Sequence, residues 1–111
     1  MFLNLWRKRP IEKRAYERIP KCLGVKVLNG DSLHKGLVTN LSQNGMYFIT
    51  GAYLSSGQNI EVSIPFKEGN LKATVKVIRI KKDNIFDGFG AELLNSHSDY
   101  LEFVNSLRTI L

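Results

Sequence analysis

Six short stretches of β-type sequence, separated by turn residues, occupy most of the chain and limit what it can fold into. Each is rich in aliphatic or aromatic residues and ends near Gly, Asn, Asp or Ser, which is typical of β-strands joined by tight turns. The predicted strands are Cys22–Leu28, Leu33–Leu41, Met46–Thr50, Gln58–Ile64, Leu71–Ile80 and Ile85–Leu94. A chain of 111 residues has room for one domain, so these strands must share a single core.

The alternation of apolar and polar residues predicts which side of each strand is buried. In the fourth and fifth strands, the residues predicted to face the core are Ile60, Val62, Ile64, Leu71, Ala73, Val75 and Val77. The period breaks at Val77-Ile78, which predicts a β-bulge or a change of face. Asn44-Gly45 predicts a hairpin turn, because both residues tolerate a positive φ.

The period changes after the sixth strand. Apolar residues then recur at steps of three and four, the spacing of an amphipathic helix, at Tyr100, Leu101, Val104, Leu107 and Leu111. Six short strands followed by one helix favour a mainly β fold. We predict a six-stranded antiparallel barrel with a C-terminal helix that closes one open end.

The basic charge is concentrated before the first strand. The chain has 16 Lys and Arg residues against 10 Asp and Glu, and residues 1–21 hold seven of the basic and two of the acidic ones. We therefore expect a flexible basic N-terminal arm that seeks an anionic partner, in front of a nearly neutral body. The predicted organisation is an N-terminal tail at 1–8 and a domain at 9–111, divided into arm (9–20), barrel (21–95) and C-terminal helix (97–110).

Composition argues against several classes of protein. The single cysteine, Cys22, excludes an internal disulfide and favours a reducing, cytoplasmic location; at the start of a strand it is predicted to be a small buried side chain. Cys22, His34 and His97 lie far apart in sequence, so no metal is expected. Neither histidine nor Ser42 has the context of a catalytic group, so we predict no enzymatic activity and no cofactor. No stretch reaches the roughly 18 apolar residues of a membrane-spanning helix.

Two short motifs carry side chains suited to recognising a nucleotide. Arg14 and Arg18 form Arg-x-x-x-Arg in the basic arm, and Asn40, Ser42 and Gly45 form Asn-x-Ser-x-x-Gly, which leads from the second predicted strand into the hairpin turn. A guanidinium offers a rigid fork of donors for a phosphate or for O6 and N7 of guanine. Asn40 and Ser42 are expected to face the same way and to offer hydrogen-bonding groups to a base edge, with Gly45 permitting the turn.

In this order and on this strand pattern, the motifs resemble those of the PilZ family, bacterial receptors for the second messenger cyclic di-GMP. The resemblance covers about residues 9–110 and includes both motifs, the six strands, the segment Gly88–Glu92 and the C-terminal helix. Asn40 stands where Asp is commoner in the family. The residues that the resemblance assigns to cyclic di-GMP are Arg14, Arg18, Asn40, Ser42 and Gly45.

The residue before the arginine pair, Lys13, bears on how many ligand molecules bind. In PilZ proteins that resemble this one, a basic residue there accompanies two intercalated molecules, and an apolar residue accompanies one. We therefore expect a ligand dimer, with Lys13 and Arg9 helping to neutralise the additional phosphates.

The resemblance also implies a mode of action for a single-domain member of the family. Ligand binding would order the arm over the barrel mouth, and the new surface would signal to an unidentified partner protein. The alternative is a PilZ-like protein-interaction module that binds no nucleotide. A barrel for single-stranded nucleic acid is disfavoured because the body outside the arm is nearly neutral, so no DNA or RNA partner is expected.

Overall fold

The computed structural model describes residues 18–83, 85–94 and 98–110, which contain the predicted strands and all of the predicted helix except its first residue. In chain order the elements are β1 (Ile19–Asn29), β2 (Ser32–Ser42), β3 (Gly45–Thr50), β4 (Asn59–Phe66), β5 (Gly69–Lys81), β6 (Asp87–Leu93) and α1 (Ser98–Ile110).

The strands close into an antiparallel barrel in the order β1-β2-β3-β6-β5-β4, which confirms the predicted fold. Consecutive strands form the hairpins β1–β2, β2–β3, β4–β5 and β5–β6, and two further pairings close the ring. β3 pairs with β6 over six residue pairs, whereas β1 pairs with β4 over three: Lys26–Ser63, Val27–Val62 and Leu28–Glu61. Closure removes the open sheet edges that would otherwise pair with other chains.

The core follows the alternation read from the sequence. All seven residues predicted to face inward from β4 and β5 are buried, with exposures between 0% and 5%. Phe48 of β3 and Phe89 of β6 lie opposite each other on paired strands, and both are buried, with ring centroids 5.8 Å apart. Burying one aliphatic or aromatic side chain contributes about 1.5–3 kcal/mol to the free energy of unfolding. The alternation therefore determines which face of each strand turns inward.

The predicted bulge is present in β5. The register with β6 shifts between Val77 and Arg79. Val77 is buried, whereas Ile78 is 53% exposed. Arg79 then takes the next pairing position, opposite Gly90 of β6.

The predicted C-terminal helix is present as α1 and packs against the barrel. Its apolar face, made of Tyr100, Phe103, Val104 and Leu107, joins the barrel core. The ring of Phe103 meets Phe66 edge-on, with centroids 5.5 Å apart. The ion pair between Lys67 and Glu102 (3.0 Å) is more than half exposed and contributes at most about 1 kcal/mol, so apolar contacts hold the helix in place.

Two details of the first strand differ from the prediction. β1 begins at Ile19, so Ile19 and Pro20 belong to the barrel and not to the arm; Ile19 is buried opposite Leu41. Cys22 is exposed instead of buried. The physical reason is a shift of register with β2 between Pro20 and Leu23, which takes the intervening residues out of the regular alternation.

Candidate functional site

Arg18 and Asn40 bring the two sequence motifs into contact. Arg18 directly precedes β1, and the pairing of Pro20 with Asn40 brings this end of β1 beside β2. Nη1 of Arg18 donates a hydrogen bond to Oδ1 of Asn40 at 2.5 Å. Neither of the ion pairs found among the described residues involves Arg18. A guanidinium has five N–H donors, so this bond leaves others for an anion.

Arg18 and Asn40 line a cavity of about 230 Å³, which we call the Arg18 cavity. The rest of its lining comes from β3, β5 and β6: Tyr47, Ile78, Arg79, Gly90 and Ala91. This lining contains two arginines and no carboxylate. The charged side chains of the lining are therefore all positive, which favours an anionic ligand.

Sequence reasoning missed Arg79 as a site residue. The break in alternation at Ile78 predicted the bulge, but not which strand the following residue would meet. In the structure Arg79 lies opposite Gly90, and the Cβ of Arg79 is 3.5 Å from where a Cβ on Gly90 would lie. Only the pairing of β5 with β6 reveals that this arginine reaches the same cavity as Arg18.

Tyr47 reaches the cavity wall because β6 carries glycine beside it. A Cβ on Gly88 would overlap the ring and hydroxyl of Tyr47. Tyr47 pairs with Gly90 in the β3–β6 ladder, so two glycines flank its ring. Glycine in a strand often marks such a close approach.

Ser42 does not line the Arg18 cavity. Its side chain is buried, and its Oγ donates a hydrogen bond to Oδ1 of Asn44 at 2.9 Å. Asn40 and Ser42, which the sequence predicted would act together on a base edge, therefore have different surroundings. The hydroxyl of Ser42 is engaged within its own turn, and Asn40 faces the cavity.

Tyr100 of α1 anchors the turn between β2 and β3. Its buried hydroxyl donates to the carbonyl oxygens of Ser42 (2.8 Å) and Gly45 (3.0 Å), which share the single phenol proton. Burial raises the pKa of the Tyr100 phenol above its ordinary value, while the nearby charge of Arg18 acts in the opposite direction. The sequence predicted Tyr100 only as part of the apolar face of the helix, and a contact this distant in sequence leaves no local signal.

The reason for glycine at position 45 differs from the prediction. Neither Asn44 nor Gly45 has a positive φ. Instead, β6 passes so close that a Cβ on Gly45 would lie 2.5 Å from the carbonyl oxygen of Ala91. The N–H of Leu93 also donates to the carbonyl of Asn44 at 2.8 Å, so β6 holds this turn. Gly45 is required for the close approach of two backbones.

The remaining predicted site residues, Arg14, Lys13 and Arg9, lie outside the described residues, as does His97. Within residues 18–83, 85–94 and 98–110, no cluster of three or more His, Cys, Asp or Glu side chains could hold a metal ion. In the same ranges, no helix combines the length and apolar character needed to cross a membrane.

A comparison with protein families matches residues 12–106 to the PilZ domain. The chain belongs to the PilZ family. PilZ domains are regulatory binding modules and not enzymes. The match covers the Arg18 cavity, the β2–β3 turn and most of α1.

Solved PilZ structures share this fold at low sequence identity. The PilZ domain of YcgR from Escherichia coli, solved with cyclic di-GMP, is 16% identical with a TM-score of 0.71, covering 88% of this chain and 93% of that one. The inhibitor of motility MotI/DgrA from Bacillus subtilis is 19% identical with a TM-score of 0.72, and the match covers 87% of this chain but half (50%) of that protein. The PilZ domain of CeSA from a cellulose-synthesizing bacterium is 20% identical with a TM-score of 0.67, covering 83% and 98% of the two chains. No curated protein matches the sequence.

Proposed function

We propose that this PilZ protein is a receptor for cyclic di-GMP. The observation that carries the proposal is the hydrogen bond from Arg18 to Asn40 at the wall of a cavity that also contains Arg79 and no carboxylate. Two guanidinium groups beside an amide suit a ligand that combines guanine edges with phosphates. The YcgR domain that shares this fold was solved with the same nucleotide.

The residues of the cavity take different roles in this proposal. Arg18 and Arg79 pair with the phosphates or with O6 and N7 of guanine. Oδ1 of Asn40 accepts from Arg18, so the amide N–H groups of Asn40 are its contribution to the ligand. Ser42 and Gly45 contribute by holding the turn that follows Asn40.

The Arg18 cavity holds only part of the ligand. Its volume of about 230 Å³ is below the roughly 300–1,000 Å³ typical of pockets that enclose a whole small molecule. We therefore assign the rest of the site to the arm, with Arg14, Lys13 and Arg9 closing over the nucleotide. The same basic residues would neutralise the phosphates of a second, intercalated molecule.

The output of this receptor would be a contact with a partner protein. Closure of the arm over the ligand would create a surface that the free protein lacks. The Bacillus subtilis protein that shares this fold is an inhibitor of motility, which supports a regulatory role. A cytoplasmic location is part of the proposal and agrees with the exposed free thiol of Cys22, which suits a reducing compartment.

Calorimetric titration tests the proposal directly. We expect saturable binding of cyclic di-GMP, no comparable binding of GTP, and loss of binding in Arg14→Ala. Lys81→Ala is the matched control, because Lys81 is an exposed cation on β5 outside the Arg18 cavity. Two nucleotides per chain support the ligand dimer, and one contradicts it without affecting the receptor proposal. No heat at tens of micromolar nucleotide would contradict the receptor and favour the interaction module without nucleotide.

A further inference from the structure

A second cavity, of about 520 Å³, lies on the outer face of the barrel where β1 meets β4. We call it the lysine groove and define it by Lys26, Lys35, Lys72, Leu33, Gly24 and Pro65. It shares no lining residue with the Arg18 cavity. Ligand binding at the motifs therefore does not account for it.

The groove exists because the β1–β4 seam is short. Pairing between these strands ends at Lys26–Ser63. The next outward-facing positions are Gly24 and Pro65. A Cβ on Gly24 would have no atom within 4 Å, and Pro65 has no N–H to extend the ladder. The two strands therefore separate and leave a concave surface.

Three exposed lysines cross the groove in one row. Lys35 lies opposite Lys26, Lys26 opposite Ser63, and Ser63 opposite Lys72, on strands about 4.8 Å apart. Like charges directly opposite each other destabilise a sheet. Neither ion pair found among the described residues involves these lysines, and Glu61 is the lone carboxylate of the lining. The positive charge of this row therefore does not serve folding and suits an external anionic group.

An apolar floor accompanies the lysines. Leu33 is 60% exposed, Leu28 beside it is half-buried, and Pro65 is exposed. The lining contains no arginine and no aromatic residue, the side chains that phosphates and stacked bases favour. Lysines around an exposed leucine instead suit carboxylates that flank an apolar side chain. That chemistry belongs to an acidic protein segment.

We propose that the lysine groove docks an acidic segment of a partner protein, with carboxylates facing Lys26, Lys35 and Lys72 and an apolar side chain on Leu33. This inference rests on the proposed function only in assuming that the receptor has a partner protein; the lysine groove would contact that partner in addition to the surface that arm closure creates. The groove shares no lining residue with the Arg18 cavity, so its binding can be measured separately from that of cyclic di-GMP.

The probe is a short synthetic peptide of alternating glutamate and leucine, titrated into the isotope-labelled full chain and followed by amide chemical shifts. The matched peptide carries glutamine in place of glutamate. We expect shifts centred on Lys26, Lys35 and Lys72 with the acidic peptide and none with the matched one. Equal shifts with both peptides, shifts elsewhere, or no shifts would overturn the proposal. Tighter binding at the same lysines by single-stranded DNA or by phosphatidylglycerol vesicles would overturn it too.

Charge reversal separates docking from folding. Lys26→Glu places a carboxylate opposite Lys35, so we expect the thermal midpoint to be kept or raised. We expect this variant to bind the acidic peptide at least about tenfold more weakly. Lys81→Glu, outside the groove, is expected to bind within about twofold of the wild type. Cyclic di-GMP binding by Lys26→Glu is expected to be unchanged, so failure of docking and failure of the receptor proposal give different results.

Discussion

Asn40 and Ser42 lie two residues apart in one motif, yet the fold treats them differently. Asn40 is half-buried at the wall of the Arg18 cavity, where its one described side-chain partner is the exposed Arg18. Ser42 is buried in the β2–β3 turn, where its hydroxyl donates to Asn44 and its carbonyl oxygen accepts from Tyr100. A backbone hydrogen bond from β6 to Asn44 also holds this turn. A single motif thus combines a recognition half, at Asn40, with an architectural half, at Ser42. Substitutions in the two halves are expected to change different measurable quantities.

The largest effect is expected on the affinity for cyclic di-GMP, from Arg18→Ala, which removes the partner of Asn40 in the recognition half. Truncating a charged group that is hydrogen-bonded in a complex costs about 2–5 kcal/mol of binding free energy. The free energy of unfolding is expected to stay near the wild-type value, because Arg18 is exposed before β1. Calorimetry with cyclic di-GMP and urea denaturation measure the two quantities. A variant that binds as tightly as the wild type would remove Arg18 from the site.

Gly45→Ala tests the architectural side. Its Cβ would lie 2.5 Å from the carbonyl oxygen of Ala91, a backbone atom that cannot move alone. We expect the free energy of unfolding to fall by about 1–3 kcal/mol, the usual cost of overpacking. Gly24→Ala is the matched control, because no atom lies within 4 Å of its Cβ position. Equal losses from both substitutions in urea denaturation would show that contact with β6 is not the reason for glycine at position 45.

Because Tyr100 anchors the architectural half, the free energy of unfolding is expected to depend on pH in the alkaline range. Burial raises the pKa of this phenol in the folded protein above the ordinary value of 10.0. The unfolded chain therefore releases the proton first, and stability that is complete below pH 10 declines as the pH rises further. The slope due to Tyr100 is at most about 1.4 kcal/mol per pH unit. Tyr100→Phe is expected to lose this component of the slope, measured as the free energy of unfolding at several alkaline pH values. Identical slopes for the two proteins would contradict the burial of this hydroxyl in the folded protein.

Ser42→Ala is expected to give the smallest effect. It removes one neutral hydrogen bond, to Asn44, which contributes about 0.5–1.5 kcal/mol to the free energy of unfolding. The affinity for cyclic di-GMP is expected to change by no more than about twofold, or roughly 0.4 kcal/mol. Urea denaturation measures the free energy of unfolding, and calorimetry on the same preparation measures the affinity. A clear loss of affinity without a loss of stability would move Ser42 to the recognition half.

The sequence predicted those features that depend on local periodicity. Alternation located the strands and the inward-facing residues of β4 and β5, and its interruption located the bulge at Ile78. Burial enforces this period, because a slip of one residue would turn a whole strand inside out.

Features that depend on which strands are neighbours could not be predicted in this way. Arg79 joins the Arg18 cavity only because β5 lies beside β6, and Gly45 is required only because β6 crosses close to it. Cys22 is predicted to be a small buried side chain at the start of a strand, whereas the irregular pairing with β2 leaves it exposed. The periodicity of one strand carries no information about which strand lies beside it or where their pairing becomes irregular.

The bond between Tyr100 and the turn at Ser42 joins residues 58 positions apart, and this has a consequence for protein synthesis. A growing chain that has emerged as far as β6 contains every strand of the barrel but not the phenol that anchors this turn. The architectural half of the motif is therefore completed only after translation has reached helix α1. A chain that stalls or is cleaved before residue 100 has the motif in its sequence without the anchor that shapes it.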